Sequence, residues 1–169
     1  MLRQMKGMKK FKIYIDNFAD GRDKSFANKL KTRLQSISTE ISIRNYSDLD
    51  AETEKWEEIT LQAIRSADIV IPIISPHYLQ WVTTPIEKVL DEIIDSTEKY
   101  LFPIYLEQSE FGSFNWIIRS KLIPSEVIPL SEYSEYDSDK VIITLIKMIK
   151  DIISKHNIKS VKEMVLPLS

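Results

Sequence analysis

The sequence predicts an α/β fold, a five-stranded parallel sheet with helices on both faces. Short runs rich in isoleucine, tyrosine and phenylalanine alternate with longer stretches whose apolar residues recur at helical spacing, which is the order of successive βαβ units. One run, "IVIPII" from Ile69 to Ile74, is apolar at every position, as a strand covered on both faces must be. It is placed at the centre of the sheet.

The first strand is "FKIYI", Phe11 to Ile15, which ends on "DNFADGRD", where Asp, Asn and Gly are turn residues. From Lys24, the apolar residues Phe26, Leu30, Leu34 and Ile37 mark one face of a helix. "EISIRNY", Glu40 to Tyr46, alternates Ile41 and Ile43 with polar neighbours, a strand with one exposed face or near a sheet edge. An acidic loop, "SDLDAETEKW", then runs into a helix carrying Trp56, Ile59, Ala63 and Ala67 on its apolar side. After the central strand, Ile86, Val89, Leu90, Ile93 and Ile94 define a third helix. "YLFPIYL", Tyr100 to Leu106, is the fourth strand and "SEVIPL", Ser125 to Leu130, a weaker fifth. The aromatic stretch between them is irregular, with room for a short helix. "DKVIITLIKMIKDIIS", Asp139 to Ser154, is a long amphipathic helix. The reading is one domain over residues 10–154, an N-terminal tail over 1–9, and a C-terminal tail or linker over 155–169.

Composition removes several functions. A chain of 169 residues with 43% apolar residues supports one core. Its net charge of -2 lacks the electrostatic footprint of a nucleic-acid binder. No cysteine is present, so disulfides, thiol nucleophiles and thiolate metal sites are excluded, and a reducing compartment fits. Two histidines, His77 and His156, are too few for a histidine metal cage, and no metal is expected. No apolar run approaches the roughly 20 residues of a membrane span, and the basic start lacks a signal-peptide core, so a cytoplasmic protein with no membrane partner is expected. The three glycines, Gly7, Gly21 and Gly112, form no phosphate-cradling loop. Ser75 stands where a phospho-acceptor domain of this strand number carries an aspartate at the end of the central strand.

Ligands of open α/β sheets bind beyond the carboxyl ends of the strands, which directs attention to the loops after Ile15, Tyr46, Ser75 and Leu106. The carboxylate that stands out there is Glu87. Two readings of it remain open. In one, Thr84, Pro85 and Glu87 occupy Ncap, N1 and N3, and Glu87 closes a capping box on the Thr84 backbone. In the other, Glu87 faces a ligand.

The order of elements and several local strings resemble a TIR domain, the Toll/interleukin-1 receptor type, over Lys10 to Ser154. "KIYIDNFAD" resembles the family's first strand running into a polar loop with an acidic residue, here Asp20. "EKWEEITLQAIRSADIVIPIIS" resembles the family's Trp-bearing helix leading into its central strand. "SPHYL" followed by Glu87 is the most specific match, and it puts Glu87 at the position that resembles the catalytic glutamate of NAD-cleaving members. Two departures stand beside it. Thr83 occupies the place four residues before the glutamate where the family often has an aromatic, with Trp81 two residues earlier, and the loop after the second strand lacks the common proline-glycine pair.

The resemblance implies a flavodoxin-like fold and, as activity, NAD+ glycohydrolase or cyclase chemistry in innate immune, anti-phage type signalling with activation by self-association, and the Lys- and Ile-rich composition without plant-receptor features favours a bacterial source. NAD would be substrate, with no cofactor. Nicotinamide leaves as a neutral molecule from a cationic pyridinium, so no general acid is needed, and one carboxylate can stabilise the oxocarbenium-like transition state. Glu87 would hold the nicotinamide ribose, Trp81 or Phe18 would offer a stacking or lid surface, and Asp16 and Ser75 would line the mouth. For Trp81 and Phe18, covering the core is the other reading. The resemblance also implies an alternative, a non-catalytic module that recruits other TIR domains, with a sensor or effector fused or separate. Its candidate docking surfaces are "SDLDAETEKW", which also reads as a plain solvated loop, and "EFGSFNW", Glu110 to Trp116.

Overall fold

The computed structural model describes residues 10–50, 54–125 and 127–165, with side chains as far as residue 157. Strand β1 (Phe11–Asp16) lies between β2 (Ile41–Asn45) and β3 (Ile69–Ile74), parallel to both. Ile13 registers with Ile43 on one side and Ile69 on the other. Beyond β3 come β4 (Tyr100–Leu101) and β5 (Ile104–Tyr105), both paired with β3, giving a five-stranded parallel sheet in the order β2-β1-β3-β4 with β5 alongside β3. As the apolar run predicts, β3 is buried along its whole length.

The strand expected over Tyr100 to Leu106 is therefore two short pieces, and a proline in β3 explains the break. Phe102 N–H donates to the Val70 carbonyl and Leu106 N–H to that of Ile74, so even-numbered residues of β3 pair on this side. Pro72, midway between them, has no N–H to donate to this side of the ladder. The fifth strand expected over Ser125 to Leu130 is not formed. Val127 and Ile128 are exposed, and Leu130 opens a single 3₁₀ turn. What the edge receives instead is one parallel bridge between Ile104 and Ile123.

Six helices flank the sheet among the described residues: α1 (Gly21–Gln35), α2 (Trp56–Ser66), α3 (Pro76–Trp81), α4 (Thr84–Ile94), α5 (Asn115–Arg119) and α6 (Glu135–Val165). Gly21 opens α1 at φ 64, a left-handed conformation that suits glycine and turns the β1 loop directly into the helix. The last helix runs unbroken past Ser154, and His156 meets the Phe11 ring edge-on at 5.0 Å, so the segment after residue 154 continues as helix.

Side chains alternate across a strand, and the two faces are sorted accordingly. Odd-numbered Ile13, Ile15, Ile69, Ile71 and Ile73 pack with Ala27, Leu30 and Leu34 of α1 and with Ile142, Leu145 and Ile149 of α6. Even-numbered Tyr14, Val70 and Ile74 pack with α2, α3, α4 and α5 through Ile64, Tyr78, Leu90 and Trp116. Because the chain leaves β1 toward β2 and later returns to place β3 on β1's other side, the switch point lies between the carboxyl ends of β1 and β3.

Candidate functional site

Two strand ends meet at that switch point, and a short helix locks them together. Ser75, the residue after β3, is the N-cap of α3: its Oγ accepts the Tyr78 N–H at 3.1 Å, with Pro76 at the first helical position. That cap aims the Tyr78 phenol into the protein. Its hydroxyl donates to Asp16 Oδ2 at 2.6 Å, while the Tyr14 hydroxyl donates to Asp16 Oδ1 at 3.1 Å. Tyr14 and Asp16 share a face because they are two apart on a strand. All three side chains are buried.

Burial raises the Asp16 carboxyl from 3.8 to about 6, against the two phenol hydrogen bonds, which favour the ionised form. Burial likewise pushes both phenols well above their ordinary range, and the Asp16 charge pushes them further. The Tyr78 phenol is also raised, more weakly, by the charge of Glu87.

On the other side of the sheet, the Ser75 hydroxyl donates to Asp23 Oδ2 at 2.5 Å, tying α1 to α3. Asp23 is buried, its second oxygen has no partner, and burial raises its carboxyl, opposed by the Ser75 hydrogen bond. Asp16 and Ser75 are both fully buried and engaged with protein groups. They therefore support the site from beneath and do not line its mouth as expected from the sequence.

Glu87 lies in the first turn of α4, half-buried, and the capping box is not formed. Thr83, one residue earlier than expected, is the N-cap, its side chain makes no cap bond, and Pro85 and Glu87 become the second and fourth helical residues. Glu87 instead accepts a hydrogen bond from the indole Nε1–H of Trp116 at 3.1 Å. Trp116 is buried on α5, which packs against α4.

Trp81, at the end of α3, sits within an aromatic group of Trp56 at 5.0 Å, Tyr46 edge-on at 5.0 Å and Tyr78 at 5.8 Å. Phe18 stacks on His77 at 5.2 Å and 18°. Tyr78 thus joins Trp81, Asp16 and Ser75 into one connected cluster, with Phe18 packed against the same core and Glu87 reached through Trp116. A groove of about 430 Å³ opens beside α3 between Leu79, Gln80, Ser109 and Phe114. No group of three or more metal-ligating side chains occurs among the described residues.

With this geometry in place, comparison with known proteins decides the family. A family model for the TIR domain matches residues 18–125, more than half of the chain. The chain belongs to the TIR domain family. None of the curated proteins matches it. Among solved structures, a conserved protein from Enterococcus faecalis V583 is similar over 87% of this chain and 99% of its own, at 10% identity and a TM-score of 0.45, a likeness too low to carry any argument.

As a TIR domain, the protein takes a TIR-type role in signalling, and TIR domains usually interact with one another. In "EFGSFNW", Phe111 meets Tyr105 edge-on at 5.1 Å, Phe111 and Phe114 pack half-buried against the core with Phe114 lining the groove beside α3, and Trp116 is buried. Of "SDLDAETEKW", residues 51–53 lie outside the described residues, and Trp56 faces Trp81. Asp20, the acidic residue of the first TIR loop, is exposed at the N-cap position of α1 and makes no cap bond through its side chain. No helix among the described residues is long and apolar enough to cross a membrane.

The sequence reading missed α3, the Tyr14–Asp16–Tyr78 triad and the Trp116–Glu87 contact. The dipeptide Ser75-Pro76 carried the signal for the first, being an N-cap followed by proline at N1.

Proposed function

We propose that this TIR domain cleaves the nicotinamide–ribose bond of NAD, with Glu87 as the catalytic carboxylate. The observation that carries this reading is that Glu87 is half-exposed and takes a side-chain hydrogen bond from Trp116 while playing no part in capping its helix. A carboxylate fixed in this way near strand ends at a topological switch point suits a ligand's ribose hydroxyls. The C–N bond breaks with its electron pair going to the pyridinium nitrogen, nicotinamide leaves neutral, and Glu87 stabilises the positive charge left on the ribose. Water then attacks the anomeric carbon and loses a proton to solvent; attack by the adenine ring would give the cyclic product. Trp81 and Phe18 supply aromatic cover at the site, and the Asp16 and Ser75 network fixes α3 beneath it. Self-association in a bacterial, cytoplasmic defence pathway is part of the same reading.

Concentrated protein incubated with NAD, with and without a crowding agent, should release free nicotinamide measurable by chromatography. Glu87→Ala should release none while retaining the parent's circular dichroism. Release by the variant at the parent's rate would refute a catalytic Glu87. A second reading, a docking module without catalysis, is favoured by one feature: exposed Val127 and Ile128 follow an apolar groove of about 320 Å³ between Leu122, Pro124 and Met148. It predicts no release, with partner binding lost on Val127→Asp.

A further inference from the structure

We propose that Trp116 is the positioning residue for Glu87, a role that rests on the catalytic reading above. Glu87 has three side-chain torsions and lies half in solvent, so an unanchored carboxylate there would sample many orientations. Trp116 is placed to prevent this. It is 3% exposed, held on α5 among Val89, Leu90 and Ile117 in the aromatic core, and its only polar atom donates to Glu87 Oε1 at 3.1 Å. A buried indole N–H needs an acceptor, and a carboxylate makes the stronger charge-assisted bond.

The contact spans 29 residues of sequence and joins two helices, so its geometry is set by how α5 packs on α4. Arg119, one turn further along α5, reinforces that docking through Asp91 at 2.8 Å and Asp95 at 2.7 Å. The indole takes one carboxylate oxygen and leaves the other for the ribose. Positioning of this kind acts on the reacting state and leaves ground-state binding nearly untouched.

The test uses the full chain and two readouts. In ¹H–¹⁵N spectra, the indole resonance that disappears in Trp116→Phe should shift in Glu87→Gln, while those of Trp56 and Trp81 stay in place. In nicotinamide release, Trp116→Phe and protein carrying benzothienylalanine at 116, which keeps the ring volume but lacks the N–H, should both lose about tenfold or more in kcat. KM should stay within about twofold. An indole resonance indifferent to Glu87→Gln, or an unchanged kcat with benzothienylalanine, would overturn the proposal. If the parent releases no nicotinamide, the catalytic reading fails by itself, and the indole resonance still decides whether Trp116 holds Glu87.

Discussion

The two faces of the sheet are built from different chemistry. One is almost wholly aliphatic, with Ile13, Ile15, Ile69, Ile71 and Ile73 pressed against α1 and α6. The other carries Tyr14, Tyr78, Tyr105 and Trp116 in its core, with Trp56, Trp81, Phe18, Phe111 and Phe114 packed around them, and it contains the Asp16 and Glu87 hydrogen bonds. Aliphatic side chains position no polar group themselves, and the buried carboxylate on that side, Asp23, is held by the Ser75 hydroxyl at the end of β3. An aromatic face with phenol and indole groups can hold carboxylates at fixed places, because each ring brings both packing area and a hydrogen-bond donor. The first face is scaffold, and the second is where the fold can do something.

The contrast breaks most easily on the aliphatic side. Ile71 is completely buried at the centre of β3, and Ile71→Ala should cost about 2–5 kcal/mol in urea unfolding, since the cavity adds to the lost transfer energy. A cost below about 1 kcal/mol would mean that this face is not closely packed.

The aromatic face is sharpened by pH. Asp16 titrates at about 6 in the folded protein against 3.8 as its ordinary value, so between these limits the folded state binds more protons than the unfolded one. Its contribution is therefore fully present below about pH 4 and is lost as pH rises through 6, a fall of about 3 kcal/mol from this group alone. Asp16→Asn should flatten that slope and raise stability at pH 7.5 relative to the parent. A variant with the parent's slope would show that the buried carboxylate is better compensated by Tyr14 and Tyr78 than burial suggests.

The smallest effect belongs to neither face. Arg22 and Glu107 form an ion pair at 2.8 Å beside the strand ends, with the arginine side chain 60% exposed. Arg22→Ala should change stability by no more than about 0.5 kcal/mol, less in high salt.

The aliphatic face was readable in the sequence because its signals are local. Runs such as "FKIYI" and "IVIPII" declare strands, and Leu30 and Leu34 declare the covering helix. The sheet's far edge was misread because "SEVIPL" is as apolar as a strand, yet Val127 and Ile128 stay exposed and the edge pairs through Ile123 instead, while Pro72 removes the donor that would have joined β4 and β5 into one strand. The candidate site was half legible. Glu87, Trp81, Asp16 and Ser75 could be picked out as residues, and Tyr14 with Asp16 was available from the two-residue strand period. Their roles were not available, because Asp16 meets Tyr78 across 62 positions and Glu87 meets Trp116 across 29. The capping box failed by a single residue: the helix begins at Thr84 and is capped by Thr83, which frees Glu87 from its own helix end.

The most direct measurement is Glu87→Gln assayed twice on the same preparation, for nicotinamide release from NAD and for the thermal unfolding midpoint. Glutamine can still accept the Trp116 N–H but carries no charge, so release should fall about a hundredfold or more while the midpoint stays at the parent's value. Release that persists, or a midpoint that falls in step with it, would contradict a catalytic carboxylate set into an otherwise self-sufficient fold.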